Sequence, residues 1–144
     1  MLLPAADTLT KVYRFCLLVA AALAMFGCGN GQPARPELPS SISPGWSLKS
    51  FAEAPAPPDI AAAGSPICWR ANYEGQGTAE VWVCGYRGEA GALDAVQRAP
   101  AEAQTIKFQE GKNFVLVRWN GAPKAGIEAL VREIQNALGI ARKR

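Results

Sequence analysis

The chain contains no histidine among its 144 residues, and this absence excludes many functions. Without an imidazole it cannot form a Ser-His-Asp or Cys-His catalytic unit, a histidine-ligated zinc site, or the usual switch near neutral pH. Cysteine is scarce too, with four residues and no Cys-x-x-Cys spacing, the spacing typical of thiol redox proteins. The sequence therefore predicts a protein that is not an enzyme and that holds no metal and no cofactor.

A large excess of one charge is also missing. The 15 basic and 12 acidic residues leave a net charge of +3, and three of the cations are Arg142, Lys143 and Arg144 at the end of the chain. The rest of the chain is therefore near neutral. Because nucleic-acid binding needs a basic stripe on a folded face, we expect no nucleic-acid partner.

No apolar run is long enough to cross a membrane. The longest covers residues 15–26, and its 12 residues would rise about 18 Å as a helix, whereas a span needs about 20 residues. Two cations, Lys11 and Arg14, precede it, and Gly27 and Cys28 follow. A charged start, a short apolar run and a small residue are the parts of an export signal, so we expect an exported protein.

The end of this signal resembles the lipobox of bacterial lipoprotein precursors. Gly27 and Cys28 fit that pattern, while Met25 stands where leucine is usual and Phe26 is bulkier than the usual small residue. The resemblance covers residues 11–28 only. It implies that the preceding residues are removed and that the Cys28 thiol carries the lipid.

The same resemblance implies a location. Residues 1–27 form a lipoprotein signal peptide, and the mature chain is anchored by its fatty acids, such as palmitate, in a bacterial cell envelope. Gly29 is not the acidic residue that retains lipoproteins at the inner membrane of some bacteria, so the outer membrane is favoured. If an ordinary signal peptidase cleaves instead and Cys28 is not lipidated, the protein is periplasmic or secreted.

Composition then divides the mature chain. Residues 28–44 are rich in Pro, Gly and Ser and predict a lipidated cysteine followed by a flexible tether. Residues 45–139 predict one small α+β domain, which opens on a short strand ending at Phe51. Within it, residues 52–66 predict an irregular Pro/Ala-rich loop. Residues 140–144 predict a basic tail.

The best-determined element is a hairpin around the three-residue turn 75–77. In one register Trp69 opposes Val83 on an apolar face, while Cys68 opposes Cys84 on the other. A shift of one residue would destroy both patterns. Because exported proteins reach an oxidising compartment, this register predicts a disulfide between the two cysteines.

The other elements are two helices and a second hairpin. Residues 88–98 predict a short helix ended by Pro100. The second hairpin has two alternative registers, one pairing Phe108 with Phe114 through a three-residue turn and one pairing Phe108 with Val115 through a two-residue turn. The last helix starts near Pro123, stops at Gly139, and has apolar residues at helical spacing: Ile127, Leu130, Val131, Ile134 and Leu138.

The second face of the first hairpin is the candidate interaction face. It carries Arg70, Asn72, Glu80 and Trp82, and exposed Arg and Trp are typical anchors of interfaces. The alternative is that Trp82 and Arg70 only pack locally beside the disulfide, or are covered by the Pro-rich loop.

Two carboxylates, Glu74 and Glu80, share this face. Six residues along one strand would separate them by about 20 Å, beyond the roughly 10 Å of a glycosidase pair. This separation is a second argument against an enzyme.

The expected fold is a two-layer α+β sandwich. An antiparallel sheet of about four strands, in ββαββα order, has both helices packed on one face. The expected function is a non-catalytic binding or assembly module tethered to the envelope, with an envelope protein as partner. A purely structural envelope component is the alternative, and a thiol-redox protein is the remaining class.

Overall fold

The computed structural model describes residues 31–61 and 64–143, and the chain from Gln32 onward forms one compact unit. The fold is α+β, as predicted, but it has six strands and three helices in this part of the chain, where about four and two were expected. In chain order the elements are β1 (Ser41–Ile42), β2 (Trp46–Ala54), α1 (Pro58–Ala61), β3 (Ile67–Glu74), β4 (Thr78–Gly85), α2 (Glu89–Arg98), β5 (Thr105–Glu110), β6 (Asn113–Asn120) and α3 (Lys124–Arg142).

The six strands form one antiparallel sheet in the order β1-β2-β3-β4-β6-β5. The predicted register of the first hairpin is confirmed, since Trp69 pairs with Val83 and Cys68 pairs with Cys84. In the second hairpin the two-residue turn is the correct alternative, because Phe108 pairs with Val115.

Two strands come from segments in which the sequence analysis placed little or no regular structure. β1 lies inside the predicted tether, and β2 runs past Phe51 into the predicted irregular loop. Leu48 pairs with Tyr73 and Ser50 with the preceding residue of β3, so Lys49 is an extra residue that forms a β-bulge. The bulge explains why Leu48 and Phe51 pack against one core although their spacing is not strictly alternating.

The predicted tether is part of the fold from about residue 32. Pro33 packs so closely on β4 that a Cβ placed on Gly85 would clash with the Cβ of Pro33, so only glycine fits there. Farther along, the buried hydroxyl of Tyr73 donates a hydrogen bond of 2.8 Å to the Pro39 carbonyl, and burial raises the pKa of this tyrosine. Leu38 packs against the main core. The expectation of a flexible linker through residue 44 is therefore wrong.

The larger core lies between the sheet and α3, on what we call the α3 face. Trp46, 1% exposed, links the two layers because its Nε1 donates a hydrogen bond of 3.0 Å to the carbonyl of Gly126. The strands and the helix contribute apolar side chains that are buried together: Ala71, Tyr73, Ala79, Val81, Val83, Val115, Val117, Ile127, Leu130, Ile134 and Leu138.

The second core lies on the opposite side of the sheet, which we call the disulfide face. There α1 and α2 cover the ends of the central strands with small side chains, Ala92, Ala95 and Ala99, together with Ile60. The prediction that both main helices share one face is therefore wrong. The physical reason is that β4 and β6 are apolar on both sides, and a strand of that kind needs cover on each face.

The last helix is longer than expected. α3 begins at Lys124, directly after Pro123, and continues to Arg142. Gly139 therefore lies inside the helix and does not end it, so the predicted basic tail at 140–144 is partly helical. No helix in residues 31–61 and 64–143 has the length and apolar character needed to cross a membrane.

Candidate functional site

The disulfide face carries every candidate site residue that the structure describes, and Cys28 lies outside the described residues. Cys68 and Cys84 form the predicted disulfide, with their Sγ atoms 2.06 Å apart. Both are buried, at 2% and 0% exposure, beneath the cover of α1 and α2. The pair is an element of the second core.

Trp82 lies beside this disulfide and is only 9% exposed. Its indole Nε1 donates a hydrogen bond of 2.8 Å to Oε1 of Glu80, and the guanidinium carbon of Arg70 lies 5.5 Å from its ring centroid. The predicted contact between Arg70 and Trp82 is therefore present. Trp82 is not an exposed anchor, because residues of the Pro/Ala-rich segment and of α2 share its core cluster, as the local-packing interpretation held.

A row of polar side chains crosses the sheet on this face where the helical cover ends. Strand pairing aligns Ser50 with Asn72, Asn72 with Glu80, Glu80 with Arg118, and Arg118 with Thr105. Asn72 Nδ2 also donates a hydrogen bond of 2.7 Å to the Ser50 hydroxyl. We call these five residues the polar row.

Arg70 lies next to the polar row and forms an ion pair with one of its members, Glu80. Its Nη1 lies 3.8 Å from Oε2 of Glu80, so both oxygens of this carboxylate have partners. On the next strand, Arg118 Nη2 lies 3.5 Å from Oε2 of Glu102. The side chains of Arg70, Glu80 and Arg118 keep 49%, 34% and 40% of their exposure, so the charges of this region remain at the surface.

Arg118 has one further property. Its Nε is buried and has no hydrogen-bond partner among the described residues. It borders a cavity of about 10 Å³, enough for about one water molecule and too small for an organic substrate. The cavity is lined by Pro57, Asp59, Ile60, Ala99, Pro100, Glu102, Thr105, Leu116 and Arg118.

The separation argument applied to Glu74 and Glu80 is wrong. The two residues lie on different strands of one hairpin, where Glu74 pairs with Thr78, two positions from Glu80. They are therefore diagonal neighbours, which lie about 7–8 Å apart in antiparallel sheets, not 20 Å. The two carboxylates differ in their contacts. Glu80 accepts a hydrogen bond from Trp82 and pairs with Arg70, while Glu74 is exposed beside the turn.

Sequence reasoning identified Arg70, Asn72 and Glu80 but missed Ser50, Arg118 and Thr105. The missing signal was the pairing of the first hairpin with β2 and β6, which local periodicity does not contain. Within residues 31–61 and 64–143, no group of three or more His, Cys, Asp or Glu side chains is arranged to hold a metal ion.

Comparisons with known proteins give no relative for this chain. No family model matches it, and no curated protein or solved structure is significantly similar to it.

Proposed function

We propose that this protein is a lipid-anchored module of a bacterial envelope that binds a partner without catalysis. The observation that carries the proposal is the polar row: five hydrogen-bonding side chains in line across five strands, at the edge of the helical cover. The export signal and lipobox resemblance supply the anchor, and the absence of histidine weighs against acid-base or nucleophilic catalysis.

The polar row suits a reversible partner. Its ion pairs are exposed, and such pairs contribute about 0–1 kcal/mol, so exchanging them for contacts with another protein costs little. The charges alternate, with Arg70 and Arg118 facing Glu80 and Glu102, which favours a protein surface of mixed charge over a polyanion such as nucleic acid. We therefore propose an envelope protein as the partner.

The anchor is tested by metabolic labelling. Cells supplied with labelled palmitate are expected to transfer label to the wild-type chain and not to Cys28→Ala, because only the Cys28 thiol takes the lipid. Cys16→Ala is the matched control, since Cys16 lies in the apolar run of the signal and is expected to leave labelling unchanged. Equal labelling of wild type and Cys28→Ala would refute the lipid anchor, and a periplasmic or secreted protein would then take its place.

The binding surface is tested by photo-crosslinking in intact envelopes. A photoreactive amino acid at Asn72, within the polar row, is expected to capture a partner, whereas the same group at Gln135 on the exposed side of α3 is not. The Arg118→Glu variant is expected to reduce capture by about tenfold or more, because it places a carboxylate opposite Glu80 and repels a matched partner. Equal capture from both positions would reject the polar row as the binding surface and would favour a purely structural role for the protein.

A further inference from the structure

Pro33, near the start of the described residues, lies at one end of the sheet. Pro33 packs on Gly85 at the end of β4, and Gly85 pairs with Ile67 on one side and Asn113 on the other. The turn that contains Lys112 is at this same end, where the Tyr86 amide donates a hydrogen bond of 2.9 Å to the Lys112 carbonyl. We call this end of the domain the Lys112 end.

The chain between the anchor and this end is short. From Cys28 to Pro33 there are five residue steps, which reach at most about 18 Å when fully extended. A lipid on Cys28 would therefore hold the Lys112 end within that distance of the lipid headgroups. The 16-residue flexible linker predicted from composition would have allowed far more freedom.

Cations are concentrated at the Lys112 end. Arg87 follows β4, Lys112 occupies the turn, and Lys143 follows α3; all three are exposed. α3 reaches this end because Gly139 lies beside Glu110, the residue that pairs with Asn113. These three cations lie at the same end as two carboxylates, Glu89 and Glu110.

Exposed apolar side chains occur in the same region. Ile140, in the last turn of α3, is 56% exposed, and Leu93, one turn from the start of α2, is 47% exposed. The start of α2 is held at this end because Gln109 Nε2 donates a hydrogen bond of 3.0 Å to the Glu89 carbonyl. Apolar side chains flanked by cations are typical of surfaces that lie on anionic membranes.

We propose that the Lys112 end is a docking surface for anionic lipid headgroups, and that it orients the domain on the membrane. The inference rests on the proposed lipidation of Cys28 for proximity, whereas the cations and apolar side chains belong to the domain itself. In this orientation the polar row is held clear of the membrane, because Asn72 lies five residues along β3 from Ile67, about 17 Å.

The test uses acylated full-length mature protein reconstituted into phosphatidylcholine vesicles with or without phosphatidylglycerol. A fluorophore is attached at Lys112→Cys or, as the matched control, at Lys124→Cys at the start of α3, which lies toward the opposite end of the sheet beside the 75–77 turn. A headgroup-bound quencher is expected to quench position 112 several-fold more than position 124. Equal quenching, or stronger quenching at position 124, would overturn the orientation.

The charge contribution is tested in the same vesicles. Arg87→Glu combined with Lys143→Glu, and replacement of anionic by neutral lipid, are each expected to reduce quenching at position 112, since exposed cations bind anionic surfaces additively. Quenching that neither change reduces would show that the short link acts alone and would reject the docking surface.

Mass spectrometry of Cys28 distinguishes a failure of the proposed lipid anchor from a failure of the docking surface. If no acyl chain is present, the docking surface is tested by flotation of the unacylated chain with the same vesicles. Flotation that requires phosphatidylglycerol and falls by about tenfold or more in Arg87→Glu/Lys143→Glu supports the surface without the anchor. Absence of flotation, or flotation unchanged in the variant, rejects it.

Discussion

Trp46→Ala is expected to lower the free energy of unfolding by about 3–5 kcal/mol, the range found when a buried large aromatic side chain is truncated. Trp46 is almost completely buried and connects β2 to α3 through its hydrogen bond to Gly126. Urea unfolding followed by circular dichroism measures the loss. A loss of this size would show that β2, which the sequence predicts only as a short strand, supplies part of the main core.

Two further variants separate the loss of apolar packing from the loss of the hydrogen bond and provide a surface control. Trp46→Phe keeps most of the apolar contact but leaves the Gly126 carbonyl without its donor, so a smaller loss of about 1–2 kcal/mol is expected. Lys49→Ala, in the bulge of the same strand and exposed, is expected to change stability by less than about 0.5 kcal/mol. A loss below about 1 kcal/mol for Trp46→Ala would contradict the packing of β2 against α3.

The double variant Cys68→Ala/Cys84→Ala is expected to lose about 3 kcal/mol, because the disulfide closes a loop with a sequence separation of 16 and so restricts the unfolded chain. Urea unfolding measures this loss. Alkylation of folded protein without reductant, followed by intact-mass analysis, is expected to add no alkyl group to either cysteine.

The same hairpin supplies the control. Glu74→Ala/Thr78→Ala removes an exposed cross-strand pair at the other end of the hairpin and is expected to cost less than about 1 kcal/mol. Two alkyl groups on the folded wild-type protein would show that the thiols are free. In that case the double variant would report only the packing of two small side chains.

The sequence predicted the elements whose patterns are local. The first hairpin has an apolar face and a cysteine pair that agree on one register, and Cys68 opposes Cys84 in the structure as in the prediction. The apolar spacing from Ile127 to Leu138 likewise identified α3. In both cases a short segment contains its own periodicity, so no distant contact is needed to recognise it.

What could not be predicted depends on contacts between distant segments. β1 has two residues in a Pro/Ser-rich stretch and exists because it pairs with β2. The small side chains of Ala92 and Ala95 in α2, and of Ala99 directly after it, give little indication of which face of the sheet α2 covers. The end of α3 was placed at Gly139 because an isolated glycine resembles a stop, whereas one glycine inside a helix costs only about 1 kcal/mol.

The candidate site shows the same limit. Arg70, Asn72 and Glu80 were assigned to one face from the hairpin alone, but the burial of Trp82 required α1 and α2 to be in place. Arg118 joined them only through the pairing of β4 with β6, two strands separated in sequence by α2 and β5. A surface composed of several strands is a property of the sheet order and not of any one strand.

The position of α3 after all six strands affects how the domain can assemble. If the chain is exported, as we propose, it emerges from its N-terminus, and Trp46 is outside well before Gly126, which is 80 residues later. Until the final 19-residue helix has emerged, the α3 face has no cover and the indole of Trp46 has no acceptor. Under the proposed export, assembly of the larger core therefore has to wait until α3 has been translocated, and the emerging strands need protection from one another in the interval.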